Sequence, residues 1–394
     1  MALPRVLVLV LAGGKGNRLE LLTETRAKPA VPFAGVYRLV DFPLSNCQHS
    51  AIADVWVSVQ YQPQSLSEHL ANGRPWDLDR TTGGLMVLPP FQGSERGGWT
   101  EGTADGLWRQ AELVRGFDPD ALVVVSSDAV YTLDYREVVD AHLGSGAEVT
   151  MVTTEVSADD ATRYGVVRVG EGGKVEDYAY KPDEPATTTA TNEVFVFSPR
   201  ETLDRLEALA GEVGEDGLED LGTHLLPAQT RDGAARAFPL AGYWRDVGTV
   251  TAYWEAHQDF LTEHPPIDLD GPSWPVGTRG GRRSAARVLD DGRIENSLLS
   301  GGTRVSGDVR GSVLSPGVVV ESGATVVDSV LLPGVTVRAG ATVTRTVADD
   351  AVEIGRGASV GGDGDITLLG RRVRVGDGAE IPAGARHPDP GQDD

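Results

Sequence analysis

Residues 11–18 read LAGGKGNR and residues 26–33 read RAKPAVPF, and together they decide how the first half of the chain folds. The run before them at 5–11, RVLVLVL, is short, aliphatic and bounded by glycine, as expected of a parallel strand buried on both faces. Gly13, Gly14 and Gly16 then let backbone N–H groups converge with no Cβ between them, which is how an anion nest for phosphates is built. Arg18 and Lys28 add cationic side chains. The glycines alone would equally mark a tight strand-to-helix turn; the cations and the KPAVPF segment favour the phosphate site. Asn17 after Gly16 excludes a Walker loop, and Leu19 at the place of a third glycine excludes a dinucleotide fingerprint.

The chain has 394 residues and a net charge of −23. That length suits two domains, each able to bury a core. The negative surface repels nucleic acid and anionic membranes, so neither is an expected partner, and a phosphate site must make its own positive field. A single cysteine, Cys47, rules out an internal disulfide and a Cys-rich zinc site, fits a reducing cytosol and is expected to be a small buried helix residue. No apolar run reaches the length of a membrane span, and the first one lacks a cleavage-like site. The seven histidines show no metal-ligand spacing.

Valine-rich strands at 53–59, 121–125 and 147–153 alternate with helical patterns at 64–70, from Thr103 onward and at 135–143. This alternation predicts a mostly parallel sheet covered on both faces, with ligands outside the carboxyl ends of its strands. The glycine loop and Asp128 fall there. Thr103 is placed to cap its helix, with Leu107, Ala111 and Val114 facing inward and Trp108 in the core. Short strands between 163 and 197 are expected to form a β-rich lid over the sheet. The segment near 262–285 turns to Pro, Gly and Arg and reads as a linker.

Beyond it the sequence repeats. Gly317 and Gly323 are matched by Gly334 and Gly340 and then by Ala351 and Gly357, six apart within a pair and seventeen between pairs. Apolar residues every few positions with glycine at the corners are the signature of a β-helix, which buries its face only when several coils stack. No histidine lies between 286 and 385, which speaks against an acyltransferase site there and for a packing role.

The segments LAGGKGNRL, AKPAVPFAGVYRLVDFPLSNC, GTAD, SSDAVYTLDY and GYWRDVGTVTAYW, collinear over the first 260 residues, resemble the ADP-glucose pyrophosphorylase family of sugar-1-phosphate nucleotidylyltransferases. The resemblance implies an α/β fold: a Rossmann-like nucleotidyltransferase domain at 1–261, a linker at 262–285, a left-handed parallel β-helix at 286–387 and a disordered tail at 388–394. It implies transfer of an adenylyl group from ATP to glucose 1-phosphate, giving ADP-glucose for glycogen-type glucan synthesis, with Mg2+. Arg18 would then hold the leaving pyrophosphate and Lys28 the transferring phosphate, with Gly13, Gly14 and Gly16 cradling the nucleotide. Asp128 and Asp246 would be the metal carboxylates. Gln92, Gly102 and Thr103 would lie on the nucleotide side, and Gly165, Lys181 and Thr191 on the sugar-phosphate side. A cytoplasmic homotetramer, open to a small phosphate or sugar effector, is the corresponding expectation.

Several positions depart from the family pattern. Tyr180 stands for the acidic residue before the sugar-phosphate lysine, Thr100 for a tyrosine, Thr191, Asn192 and Glu193 for Ser-Met-Gly, Ser127 for a glycine and Val36 for a lysine linked to activation. Losing a carboxylate that pairs sugar hydroxyls changes what a polar pocket can reject. Three readings follow: the adenylyltransferase, the same chemistry on another sugar or base, and a weakly catalytic regulatory subunit.

Overall fold

A computed structural model describes residues 3–14, 16–89, 100–214, 217–281 and 283–389; Gln92 and the tail beyond residue 389 lie outside them. The chain divides into two compact units, one formed by Met1–Gly14 with Phe42–Trp244 and the other by Lys15–Asp41 with Arg245–Asp394.

In the first unit, strand β1 (Val6–Ala12) is buried along almost its whole length, as its unbroken aliphatic run requires. Helix α1 (Asp41–His49) leads to β2 (Asp54–Val59), α2 (Pro63–Leu70) and β3 (Gly84–Leu88). Helices α3 (Thr103–Arg109) and α4 (Ala111–Phe117) precede β4 (Ala121–Ser126), and α5 (Tyr135–Ser145) precedes β5 (Val149–Glu155). Strands β6 (Gly165–Val169), β7 (Val175–Tyr180) and β8 (Thr189–Phe197), helices α6 (Pro199–Val213) and α7 (Leu225–Arg231) and strand β9 (Ala235–Pro239) follow.

The nine strands make one mixed sheet in the order β7-β6-β8-β4-β1-β2-β3, with β5 beside β8 and β9 beside β5. Strands β4, β1, β2 and β3 run parallel, and their register aligns the carboxyl ends: Leu11 opposite Ser126, and Ala12 opposite Val59. The segment at 163–197 is therefore not a separate lid. Its longest strand, β8, inserts antiparallel between β4 and β5 and carries the β6-β7 hairpin on its bulged end. The physical reason is composition: VFVF at 194–197 is apolar on both faces, so it belongs inside a sheet, with Phe195 and Phe197 in the same core as Leu9, Leu122 and Met151. Leu107, Ala111 and Val114 are buried as the helical spacing predicts, and Trp108 packs against that core. The helix they share breaks at Gln110, whose backbone leaves helical geometry. Cys47 is buried in α1, and burial pushes its thiol pKa up.

The second unit contains three six-stranded parallel sheets of two- and three-residue strands, which form the left-handed β-helix. Equivalent positions stack in register: Val305, Val320, Val337, Ile354 and Val375 on one face and Val309, Val326, Val343, Val360 and Ile381 on the next. Gly317, Gly323, Gly334, Gly340 and Gly357 all take positive φ at the corners, and Ala351 and Arg372 adopt φ 57 and φ 60 where earlier coils carry glycine. Hydroxyls climb the stack: Ser312 Oγ accepts from Ser329 N at 3.0 Å, and Ser329 Oγ accepts from Thr346 N at 3.1 Å.

Helix α8 (Val250–Asp259), capped by Thr249 Oγ1, belongs to this unit, as does the early segment 15–41. A buried ion pair ties that segment to the coils: Arg26 Nη2 lies 2.6 Å from Asp349 Oδ1, with only 5% and 1% of the two side chains exposed. Asp350 adds a second contact at 3.2 Å.

Candidate active site

In the first unit, the sheet positions the glycine turn and Asp128 at neighbouring carboxyl ends. Gly13 follows β1 directly, and a side chain there would press on Gln60 Oε1, 3.2 Å from the Cβ position; Gly14 opens onto free space. Gln60, which follows β2, donates to Thr100 O at 3.0 Å. Asp128 follows β4 and precedes another short strand, so it caps no helix, and its carboxylate accepts from Ser126 Oγ. Ser127, in the glycine's place, is buried and donates to Leu11 O at 2.7 Å, cross-linking the ends of β1 and β4.

Of the residues expected on the nucleotide side, Gly102 would place a Cβ 2.3 Å from the carbonyl carbon of Glu219, so only glycine fits against that backbone. Gly102, not Thr103, is the N-cap of α3. The Thr103 hydroxyl instead donates to Asp220 Oδ1 at 3.3 Å and accepts from Leu221 N at 2.9 Å. The helix start is thus held by a loop more than a hundred residues away, which displaces the expected local cap.

Of the residues expected on the sugar side, Thr191 is buried and donates to Gly165 O at 3.2 Å, and Tyr178 Oη lies 2.4 Å from where a Cβ of Gly165 would be. Lys181 is exposed, with its Nζ 2.7 Å from Tyr180 Oη. Asn192 is buried and accepts from Val194 N at 3.3 Å, while Glu193 is exposed with φ 58, a left-handed backbone that a glycine would adopt freely.

In the second unit, Gly16 takes φ 69, and its Cβ position is 3.0 Å from Lys28 Cβ and 3.1 Å from Thr23 Cγ2. The glycine lets the loop turn left-handed and lets the Lys28 stem lie against it. Thr23 Oγ1 secures the turn by donating to Gly16 O at 3.0 Å and Glu20 O at 3.1 Å. Lys28 opens a 3-10 turn and is buried, with Nζ 3.9 Å from Asp246 Oδ1 and exposures of 7% and 14%. Arg18 is exposed, its guanidinium close to the same Gly248 that Asp246 overhangs. Arg245 turns to Glu255 at 3.1 Å and Asp259 at 2.8 Å, while Asp246 faces Lys28.

The predicted residues thus gather within each unit: Gly16, Arg18, Lys28 and Asp246 in one; Gly102 with Thr103, and Gly165 with Thr191, in the other. Sequence reasoning missed Asp220, which holds both Thr103 and Tyr180, and no local pattern around GLEDLGTH points to it. Among the described residues no group of three or more His, Cys, Asp or Glu side chains is assembled for a metal. A carboxylate is the ligand type that suits a hard divalent ion, which completes its shell with substrate phosphates and water. No helix among the described residues is long and apolar enough to cross a membrane.

A mixed sheet with a parallel core entered through a glycine turn, and a stack of three parallel sheets of short strands, define a Rossmann-like α/β domain followed by a hexapeptide β-helix. Comparison with known proteins agrees: the family described as nucleotidyl transferase matches residues 7–263, and the GlmU-like C-terminal hexapeptide family matches residues 284–377. The glucose-1-phosphate adenylyltransferase of Thermotoga neapolitana is 39% identical over 82% of this chain and 76% of its own length. Those of Acetivibrio thermocellus and Thermosipho melanesiensis are 36% and 38% identical, each over 82% of this chain and 76% and 77% of their own lengths. The chain belongs to the nucleotidyl transferase family and, within it, to the glucose-1-phosphate adenylyltransferases. Nucleotidyl transferases generally use a divalent metal.

Proposed function

We propose that this protein converts ATP and glucose 1-phosphate to ADP-glucose and pyrophosphate for glycogen-type glucan synthesis. The observation that carries this reading is the buried Lys28 ammonium held against Asp246, with Arg18 close by, on the loop that leaves the glycine turn. In the reaction a sugar-phosphate oxygen attacks the α-phosphorus of ATP, and the bond to the β-phosphate oxygen breaks as pyrophosphate leaves with its electron pair. Such a step asks the protein for alignment and charge stabilisation and needs no covalent intermediate.

Lys28 is assigned to the transferring phosphate and Arg18 to the departing pyrophosphate. Gly13, Gly14, Gly16, Gly102 and Thr103 line the nucleotide side, as does Gln92, which lies outside the described residues. Gly165, Lys181 and Thr191 take the sugar phosphate. Asp128 and Asp246 would hold Mg2+, which when bound neutralises developing charge on the phosphate oxygens. Asp246 also keeps Lys28 aimed, and Ser126 keeps Asp128 in one orientation. The domain limits that go with this reading are 1–261, a linker to 285 and a β-helix to 387, in a cytoplasmic homotetramer.

Tyr180, Asn192 and Glu193 favour a second reading, the same transfer to a different sugar 1-phosphate. Purified protein with ATP, magnesium and a panel of sugar phosphates tests both, and mass spectrometry of the product separates them. Pyrophosphate should appear, cease with chelator and fall about 100-fold or more in Asp128→Asn. Silence across the panel would defeat both readings, and turnover surviving Asp128→Asn would remove that residue from the site.

A further inference from the structure

Tyr180, the last residue of β7, sits at the centre of a hydrogen-bonded chain. Its Oη donates to Asp220 Oδ2 at 2.7 Å and accepts from Lys181 Nζ at 2.7 Å. The lysine nitrogen also lies 4.4 Å from the centre of the tyrosine ring. The other oxygen of Asp220 accepts from Thr103 N at 3.1 Å and Thr103 Oγ1 at 3.3 Å. The Tyr180 ring is packed against the backbone of Gly222, where a Cβ would come within 2.2 Å of it.

We propose that Tyr180 is a positioning residue: its hydroxyl, anchored by Asp220, aims the Lys181 ammonium at the sugar phosphate and links that lysine to Thr103 at the start of the nucleotide-side helix. This rests on the assignment of Lys181 under the proposed function. A lysine side chain loses rotamer entropy when fixed, so a partner that fixes it beforehand strengthens binding of the phosphate. A carboxylate touching the ammonium would do this while offsetting its charge. A neutral phenol does it and leaves the positive charge for the ligand, with the acid one bond farther along the chain. Burial, and then the hydrogen bond to Asp220, push the Tyr180 phenol pKa up, so the group keeps its proton and remains Asp220's donor.

Tyr180→Phe tests the proposal, because the ring stays on Gly222 and only the hydroxyl goes. The KM for sugar 1-phosphate should rise about tenfold, the loss expected for a hydrogen bond to a charged group. The KM for ATP and the thermal midpoint should stay in place, and kcat should change less than the sugar-phosphate KM. An unchanged sugar-phosphate KM overturns the proposal. A second readout needs no turnover: acetic anhydride should modify Lys181 several-fold faster in the variant than in the parent, as followed by peptide mass spectrometry. Equal rates overturn the proposal even if the parent is inactive with every sugar phosphate, a result that would defeat the functional reading instead. If Tyr180→Phe does not fold, Asp220→Ala removes the anchoring acceptor with Tyr180 in place, and the same two readouts decide.

Discussion

At the scale of the residue, Gly16 shows how one missing side chain makes room for another. Its φ of 69 and the 3.0 Å approach of Lys28 Cβ leave a methyl group strained in backbone and crowded in space. Gly16→Ala should cost about 1–2 kcal/mol of stability. Because Lys28 must move, turnover should drop with it, measured by urea unfolding and pyrophosphate release side by side. Unaltered turnover would mean that the Lys28 stem is not held by this turn. The glycine and the lysine both stand out as phosphate-site candidates from their order along the chain. That one packs on the other does not, since twelve residues separate them. Thr103 makes the same point, because a helix-start threonine reads as a cap until a distant aspartate claims its hydroxyl.

At the scale of the element, the segment 15–41 is held in the second unit by charge buried at its root. Burial pushes the Asp349 carboxyl pKa above its ordinary range even with Arg26 beside it, while Arg26 remains cationic. Such a pair adds little over an apolar contact, yet removing one partner strands the other. Asp349→Ala should therefore destabilise the protein by about 3 kcal/mol, the low end of the range for a broken buried pair because Asp350 stays at 3.2 Å. The measurement is a urea unfolding curve. A shift under a few tenths of a kcal/mol would show that the segment is held by its apolar contacts alone. Arg26 lies two residues before Lys28, so the same variant should also weaken turnover.

At the scale of the whole molecule, His142 in the first unit and His257 in the second are almost wholly shut away from water. Burial lowers the pKa of His142 to about 4, and burial likewise lowers that of His257 to about 4. His142 bonds Thr150 Oγ1 at 3.0 Å; His257 bonds Tyr253 O at 2.8 Å and accepts from Ala34 N at 3.1 Å. The unfolded chain takes up protons at these sites below about pH 6.5, whereas the folded one does so only near 4. Their contribution is whole above pH 6.5, declines as pH falls and levels off below 4, losing at most about 3 kcal/mol at each site. Unfolding midpoints at pH 7.5, 6, 5 and 4.5 should fall in that order, and the fall should shrink in His142→Gln. A midpoint constant across that range would contradict it.

The alternation of strand and helix, the seventeen-residue coil and the glycine turn after the first strand can all be read from the chain alone. Those features come from short-range rules: side-chain period, left-handed corners and N–H groups converging over a few residues. Packing in three dimensions was needed to show that the strands at 163–197 join the main sheet and that Tyr180 bridges Asp220 and Lys181 by hydrogen bonds. It also decided that Arg26 meets Asp349, 323 residues on. Contacts of that kind are chosen by burial and charge among groups far apart along the chain, and nothing in the local spelling of either partner records the choice.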